Sequence, residues 1–194
     1  DGVWDWNLNT DEVFYSYRWK EILGFEDQEI GTSIREWETR IHPEDLKNVM
    51  AEVQKHLSGE ISVYNSEHRV LCKDGSYKWI LDRGKVLAKN ADGSPARMVG
   101  THKDITEQKR SEDIIKRSER LLKLFIENSP AAIAMFDREM KYIIASRRYI
   151  QDYKIKHENI VGISHYEIFP EIPERWKKIH QHCLQGATEK CNED

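Results

Sequence analysis

The sequence contains little of what marks secreted, membrane-spanning or nucleic-acid-binding proteins. Only three of its 194 residues are cysteines, Cys72, Cys183 and Cys191, so we expect no disulfide framework and a reducing, cytoplasmic setting. No apolar run approaches the ~20 residues that span a bilayer, and the first residues do not resemble a secretory signal. The sequence has 30 Lys and Arg residues against 34 Asp and Glu, and this balance argues against a basic surface that would bind nucleic acid. We therefore expect neither nucleic-acid binding nor membrane contact by this segment, although the parent protein could be membrane-anchored elsewhere.

Common catalytic signatures are also absent. The sequence has no Gly-x4-Gly-Lys-Ser/Thr phosphate loop, no His-Glu-x-x-His pair and no Gly-x-Ser-x-Gly elbow. We therefore expect no enzyme activity in this segment itself. Its 6 Trp, 8 Tyr and 5 Phe are too many aromatic residues for a disordered chain.

An internal repeat organises the chain. Residues 3–7 pair with 133–137, and residues 13–19 pair with 143–149, both at an offset of 130. The first copy continues for 47 residues beyond Gly59, whereas the second has only 8 residues beyond Gly186. We therefore expect the second copy to lack its last third and the chain to be an excerpt from a longer protein.

The first copy has an α+β pattern. Two short strands are followed by helices. Ser16 is predicted to cap the first of them, and the longest opens within residues 41–45 and is ended by Gly59. Apolar alternation then predicts three long strands, at residues 61–73, 76–89 and 96–103, with Asp74-Gly75 as a hairpin turn. This order predicts one antiparallel sheet with helices over one face.

A long helix is predicted to join the two copies. Asp104 can cap its first amides while Glu107 reaches back, and no Gly or Pro interrupts the chain to residue 127. Ile114 and Leu121 are one heptad apart, as are Ile115 and Leu122. Both self-association through this helix and a solvated connector fit the pattern.

Four stretches resemble a PAS domain with its C-terminal PAC segment: residues 2–7 (GVWDWN), Trp37 with residues 41–45 (IHPED), residues 73–79 (KDGSYKW) and residues 100–110 (GTHKDITEQKR). The resemblance implies a five-stranded antiparallel sheet that encloses a small pocket with its helices. On this interpretation residues 1–106 form a PAS domain with its PAC segment and residues 107–127 a connector helix. Residues 128–194 form the N-terminal part of a second, truncated PAS domain.

The resemblance also implies a function. Such tandem domains sense or relay signals in multidomain bacterial or archaeal receptors, most often sensor histidine kinases of two-component phosphorelays and less often diguanylate cyclases. Asp104, Ile105 and Thr106 match the point where the family couples its core to the outgoing helix. The expected partners are a second copy, through the connector helix, and an effector domain downstream in the same chain. A module that dimerises and relays without a ligand is the alternative.

The ligand is left open by the sequence. Trp4, Trp6 and Trp79 could line the pocket, although aromatic strand residues also serve as plain core. Flavin relatives carry an Asn-Cys-Arg-type helix that this chain lacks, whereas a haem-binding relative would use a histidine such as His56 on the long helix. An unidentified small molecule also fits. We expect no metal site, because His180 and His182 point in different directions on a helix.

Overall fold

A computed structural model describes residues 1–157 and 159–190; Cys191 lies outside the described residues. The chain divides into two compact units, Asp1–Asp113 and Ile114–Asp194. The division falls inside the long helix, several residues after the predicted end of the first domain. No helix of the described residues is long and apolar enough to cross a membrane.

The first unit is built on a five-stranded antiparallel sheet, which confirms the predicted α+β fold. The strand order across the sheet is β2-β1-β5-β4-β3. The strands are β1 (Gly2–Asn7), β2 (Glu12–Tyr15), β3 (Tyr64–Leu71), β4 (Tyr77–Lys89) and β5 (Pro95–Asp104).

The three long strands differ from the prediction mainly at their first residue. β3 begins at Tyr64 rather than at residue 61. The backbone N–H groups of Glu60 and Ile61 still donate to the carbonyl of Lys55, so the chain is completing the preceding helix there. The predicted turn at Asp74-Gly75 is confirmed, with Gly75 at φ +82°.

Helices lie between β2 and β3 and pack on one face of the sheet. They are α1 (Tyr17–Ile22), a 3-10 turn (Asp27–Glu29), α2 (Arg35–Glu38) and α3 (Pro43–Leu57). Ser16 caps α1 by accepting from the N–H of Trp19, and its oxygen also accepts from the N–H of Val3 at 2.8 Å. Because one side chain joins β1 to α1, the first helix is fixed at the end of the sheet. The side chain of Trp19, which belongs to this helix, is fully buried.

The long helix α4 (Thr106–Glu127) is present as predicted. Only one of the two capping interactions expected at its N-terminus forms. Asp104 Oδ1 accepts from the Thr106 N–H, whereas the side chain of Glu107 pairs with Arg110 instead of reaching back to the start of the helix. Most of its apolar side chains are exposed. These are Ile114, Ile115, Leu121, Leu122, Leu124 and Phe125.

The second unit repeats the start of the first. Its elements are β6 (Ala134–Phe136), β7 (Tyr142–Ala145), α5 (Arg147–Asp152), α6 (His165–Ile168) and α7 (Glu174–Leu184). β6 and β7 pair antiparallel, and Ser146 caps α5 as Ser16 caps α1. The offset of 130 residues read from the sequence therefore relates equivalent positions in the two units.

Candidate functional site

A small cavity lies between the sheet and the helices of the first unit. Its volume is about 20 Å³, which is enough for about one water molecule. Aromatic rings supply most of its wall, together with a few apolar side chains, one carboxylate and one imidazole. The lining residues are Trp4, Trp6, Val13, Tyr15, Trp19, Ile34, Trp37, Val53, Tyr64, Asp82, Met98 and His102.

Two glycines make room for this wall. Gly84 of β4 lies opposite Gly100 of β5, and Gly100 also lies opposite Trp4 of β1. A Cβ atom at either glycine would overlap the indole ring of Trp4. The ring of Trp4 can therefore lie flat over the middle of the sheet only because both positions lack a side chain.

An ionisable pair lies at the floor of the cavity. Asp82 and His102 face each other across β4 and β5, with His102 Nε2 2.9 Å from Asp82 Oδ2 and both side chains nearly fully buried. The other carboxylate oxygen accepts from Trp4 Nε1 at 2.8 Å. The carboxylate of Asp82 thus has a partner on each oxygen, as a buried carboxylate requires.

Two further polar atoms at the cavity differ in their surroundings. Trp19 Nε1 is buried and finds no hydrogen-bond partner among the described residues. The buried hydroxyl of Tyr64 lies close enough to Asp82 and Ser66 for hydrogen bonds with both to affect its pKa. Burial, reinforced by the carboxylate of Asp82, raises the pKa of Tyr64 far above its usual value, so the phenol stays protonated. The cavity therefore contains one indole N–H without a partner, that of Trp19.

His68 lies behind this pair and is held neutral. Its Nε2 accepts from Trp37 Nε1 at 3.4 Å, and its Nδ1 is 3.3 Å from Ser66 Oγ. Burial lowers the pKa of His68 to about 4. At neutral pH the ring is therefore an uncharged member of the core, which lies 6.3 Å from the ring of His102.

The tryptophans predicted to line the pocket divide into two groups. Trp4 and Trp6 line the cavity. Trp79 does not, and the prediction for it needs correction: Ile80 and Asp82 point inwards, so strand alternation places Trp79 on the opposite face.

His56, the predicted candidate for a haem ligand, is also placed elsewhere. Its Nε2 accepts from the backbone N–H of Val86 at 3.0 Å, and its Nδ1 lies 2.9 Å from the carbonyl oxygen of Ile61. Both ring nitrogens are thus used in tying the end of α3 to the sheet, which leaves neither for an iron. His56 is a structural residue, and the ligand role is corrected accordingly.

The residues predicted to couple the core to the long helix form a compact joint against β4. The Ile105 N–H donates to the Trp79 carbonyl at 2.9 Å, and the Trp79 N–H donates to Thr106 Oγ1 at 3.1 Å. Asp104 Oδ2 lies 3.1 Å from Lys78 Nζ. Although burial opposes it, hydrogen bonds from Thr106 and Lys78 hold the pKa of Asp104 below its usual value. Ile105 itself is buried.

The first turn of α4 is held to the outer face of the sheet by Lys109. Lys109 Nζ lies 2.6 Å from Glu67 Oε2 and 5.3 Å from the ring centroid of Trp79. The guanidinium of Arg69 lies 5.6 Å from the same ring, and Arg69 also pairs with Asp45 at the start of α3. Trp79 therefore contacts the joint through its backbone and the helix through its ring.

Sequence reasoning did not identify the polar floor of the cavity. Asp82 and His102 lie on strands that were correctly predicted, and period-2 alternation puts Asp82 on the same face as the apolar Ile80. A charged residue on an apolar face was the available signal. The pairing itself depends on the register of β4 against β5, which the sequence pattern does not specify.

The second unit has a wider concavity with a different lining. Its volume is about 620 Å³. Tyr142, Tyr149 and His165 form a buried chain at one side, in which the Tyr142 hydroxyl is 2.7 Å from His165 Nδ1 and 3.3 Å from the Tyr149 hydroxyl. Burial lowers the pKa of His165 to about 4. Of this buried chain, Tyr149 and His165 line the concavity. The other lining residues are Phe136, Tyr153, Ile168, Phe169, Pro170, Glu171, Ile172, Pro173, Trp176 and His180.

The described residues bring together no group of three or more His, Cys, Asp or Glu side chains that could hold a metal ion. His180, considered from the sequence as a ligand, instead lies with its Nδ1 3.3 Å from the hydroxyl of Tyr166.

Comparison with known proteins identifies this architecture. A family model described as the PAS fold matches residues 12–102. The solved structure of a sensory box histidine kinase/response regulator from Burkholderia thailandensis is 39% identical, matches 63% of this chain and 90% of that chain, and superposes with a TM-score of 0.56. This chain belongs to the PAS family. The resemblance read from its motifs is thereby confirmed, and the module is sensory, like those of signalling proteins.

Two curated relatives extend the match along the chain. The two-component sensor PprA of Pseudomonas aeruginosa is 29% identical over 150 residues, or 77% of this chain. The probable diguanylate cyclase DgcE of Escherichia coli is 28% identical over 195 residues, or 97% of this chain. The chain spans only 16% of the length of each.

Proposed function

We propose that this PAS chain senses a chemical signal in the core of its first unit and relays it through α4 to an effector domain in the same protein. The main support for the proposal is that residues of the cavity lie only two or three positions from the residues that hold the start of α4. Asp82 in the cavity is three residues from Trp79, whose backbone holds the joint, and His102 is two residues from Asp104. A change in the Asp82–His102 pair would therefore reach both strands that hold the start of α4.

The joint is well suited to transmit such a change. Its hydrogen bonds to Trp79 and Lys78 connect the end of β5 to the adjacent strand β4, and Lys109 fixes the next turn of the helix. A packed junction of this kind switches between discrete arrangements instead of deforming gradually. A signal can bias it only by favouring one arrangement over another.

Hydrogen exchange of the whole chain tests the relay. In the variant Asp82→Asn, His102 loses the carboxylate with which it pairs. We expect the amides of the first two turns of α4 to exchange roughly threefold faster or more in this variant. Asp11→Asn is the matched control, because Asp11 also accepts from a tryptophan indole, that of Trp6, but at an exposed turn. Unchanged exchange in α4 with the core still folded would contradict the relay.

Asp104→Ala then tests the joint. We expect this variant to keep the core folded and to abolish the response of α4 to Asp82→Asn, because the joint loses its contacts to Thr106 and Lys78. If the first unit unfolds instead, Asp104 is a structural residue and its coupling role is wrong.

We further propose that α4 pairs with α4 of a second copy. The exposed fractions of Ile114, Leu121 and Phe125 are 68%, 58% and 73%, which is unusual for a solvated helix, and their spacing suits a short helix–helix seam. Sedimentation velocity across a concentration series should show a dimer that Leu121→Lys dissociates. Lys116→Ala, on the same helix, is the control and should leave the dimer intact.

The parent protein is proposed to be a histidine kinase of a two-component phosphorelay, located in the cytoplasm or with this module on the cytoplasmic side. The match to the two-component sensor PprA supports a kinase. A diguanylate cyclase is the second candidate, because the probable cyclase DgcE matches 97% of this chain. Sequencing of the gene beyond the codon for Asp194 would distinguish a kinase core from a cyclase domain.

A further inference from the structure

The acidic residues that open α3 hold an arginine of the edge strand β3. The His42 N–H donates to the Arg69 carbonyl at 2.9 Å, and Asp45 Oδ2 accepts from the Arg69 N–H at 3.0 Å. These bonds cover the backbone of an edge strand, which is a structural task. The guanidinium of Arg69 is held in addition, by Asp45 through two nitrogens at 2.9 and 2.8 Å and by Glu44 at 2.8 Å. Edge protection does not require these side-chain pairs.

The guanidinium of Arg69 shares an aromatic ring with a cation of α4. Arg69 lies opposite Trp79 in the register of β3 and β4, and its guanidinium is 5.6 Å from the centroid of the Trp79 ring. Lys109 Nζ, on the first turns of α4, lies 5.3 Å from the same ring. The ring attracts each cation, whereas the two cations repel each other. One of them belongs to the sheet and the other to the outgoing helix.

Carboxylates balance both cations. Lys109 pairs with Glu67, and Arg69 pairs with Glu44 and Asp45. The side chains of Arg69, Asp45 and Lys109 are only 26%, 20% and 26% exposed, so solvent screens their charges less than at an open surface. Hydrogen bonds from Arg69 hold the pKa of Asp45 below its usual value, and this carboxylate is charged at neutral pH. The start of α3 therefore cancels a positive charge that would otherwise act on α4.

We propose that the carboxylates of Glu44 and Asp45 control how firmly the sheet holds α4, by neutralising Arg69. When the start of α3 moves away from β3, the guanidinium loses its counter-charge and repels Lys109 at the shared ring of Trp79. The first turns of α4 are then released from the sheet. The inference rests on the proposed role of α4 as the output and gives it a second input, from the helical layer.

The helix α3 is suited to carry that input. Val49 and Val53, further along the same helix, are buried in the core, and Val53 also lines the cavity. Because packed helices shift as rigid elements, a displacement of this buried face also moves the first turn of α3. The charge on Arg69 is therefore exposed or cancelled according to the position of α3.

Hydrogen exchange of the whole chain tests the sign of the effect. Asp45→Asn keeps the shape of the side chain and an oxygen acceptor but removes the charge. We expect the first two turns of α4 to exchange roughly two- to fivefold faster in this variant. Adding Arg69→Met removes the repelling charge and should return the exchange to that of the unchanged protein. A purely structural Arg69 predicts the opposite, because the second substitution would then give no recovery or add to the loss.

Asp5→Asn is the matched control. Asp5 pairs with Arg97 on the same outer face, with Arg97 Nε 2.8 Å from Asp5 Oδ1, and its side chain is 25% exposed. Arg97 lies near the start of β5, at the opposite end of that strand from the joint, so this variant should leave α4 unchanged. Glu44→Gln removes the exposed member of the acidic pair and should act like Asp45→Asn, only more weakly. It decides the question if Asp45→Asn unfolds the first unit.

Salt supplies a readout that lost packing would not give. The faster exchange in Asp45→Asn should fall by at least about half between roughly 50 mM and 1 M sodium chloride, because salt screens repulsion between charges. The proposal is overturned if the acidic variants leave α4 unchanged, if Arg69→Met restores nothing, or if the effect persists in 1 M salt.

The relay from the cavity is judged separately, by the exchange of α4 in Asp82→Asn. If Asp82→Asn accelerates exchange in α4 and Asp45→Asn does not, the input from α3 fails alone. If only Asp45→Asn accelerates it, the relay from the cavity fails and the input from α3 stands.

Discussion

Ser16 in the first unit and Ser146 in the second occupy equivalent positions. The N–H of Val3 donates to Ser16 Oγ at 2.8 Å, and that of Ile133 donates to Ser146 Oγ at 3.0 Å. In return, each serine N–H donates to the carbonyl of the same residue. Each hydroxyl also caps the following helix. A strand, a turn, a second strand and a capped helix are thus built twice from sequences with few identical residues.

The two cores diverge after that common start. In the first unit β5 lies beside β1, and Gly100 allows Trp4 to cover the sheet, so that the remaining cavity is about 20 Å³. The sheet of the second unit has two strands within the described residues, and its aromatic side chains border a concavity of about 620 Å³. Local sequence therefore specifies the framework, whereas the volume of the core is set by strands that arrive from far along the chain.

The largest effect is expected from adding a methyl group at Gly100, where the neighbouring strand and the ring of Trp4 come closest to the backbone. In Gly100→Ala the new Cβ would overlap the carbonyl oxygen of Arg83 and the ring of Trp4. We expect the first unit to lose about 3 kcal/mol or more, by thermal and urea unfolding. Gly162→Ala is the counterpart in the second unit, where the new Cβ meets nothing within 4 Å and only the φ of +81° opposes it. It should cost about 1 kcal/mol, and equal losses would contradict the comparison.

Acid should affect both units in the same direction. The folded-state pKa of His68 and of His165 is about 4, against about 6.5 in the unfolded chain. Between these values the unfolded chain binds more protons, so stability falls as the pH falls from 6.5 to 4, by at most about 3 kcal/mol for each histidine.

His68→Gln and His165→Gln separate the two contributions. Urea unfolding at several pH values should show a smaller loss on acidification for the unit that carries the substitution. His157→Gln is the control, since His157 is exposed and should leave the pH dependence unchanged. A slope that survives both core substitutions would assign acid sensitivity to the paired carboxylates.

For the two serine caps we expect the larger loss of stability in the second unit, the opposite of the order expected for the two glycines. Ser146 is fully buried and donates to the Ala131 carbonyl in addition to its two accepted bonds, whereas Ser16 is only half-buried. We expect Ser146→Ala to cost about 2 kcal/mol and Ser16→Ala about 1 kcal/mol. Replacement by Thr at each position retains the acceptor and should recover part of the loss in chemical denaturation.

The smallest expected effect is on the start of α4. Lys109→Met removes the ion pair with Glu67 and the cation over Trp79, both partly exposed, and should destabilise the first unit by at most about 1 kcal/mol. Arg110→Met, which removes an exposed pair with Glu107 on the same turn, should have no measurable effect. Equal effects would show that Lys109 has no special role.

These cases show what sequence pattern can predict. The cap at Ser16, the turn at Gly75 and the opening of α3 within residues 41–45 each depend on neighbours within a few residues, and each was predicted correctly. The side of the sheet occupied by Trp79 also depended on local alternation, and was wrong only because an aromatic residue was assumed to face inwards.

The polar chemistry of the core belongs to a different class. The Asp82–His102 pair needs two strands in register, and the unpaired indole N–H of Trp19 comes from a helix earlier in the chain. His56 was a candidate haem ligand in the sequence because its two backbone partners, Ile61 and Val86, cannot be read from a local pattern. Such contacts join residues far apart in sequence, so local sequence patterns do not predict them.

The β4–β5 hairpin has a practical consequence for building a reporter. Its tip, Asn90–Ser94, is a mostly exposed turn at the opposite end of β4 from the joint, about 30 Å away at the rise of an extended strand. The side chain of Asn90 exchanges hydrogen bonds with that of Asn9, which steadies the tip against the neighbouring turn. A fluorophore attached at Asp92 would therefore be held by a fixed turn, whereas one attached on α4 would move if that helix carries the output as we propose. The two positions together would make the proposed relay readable as an optical signal.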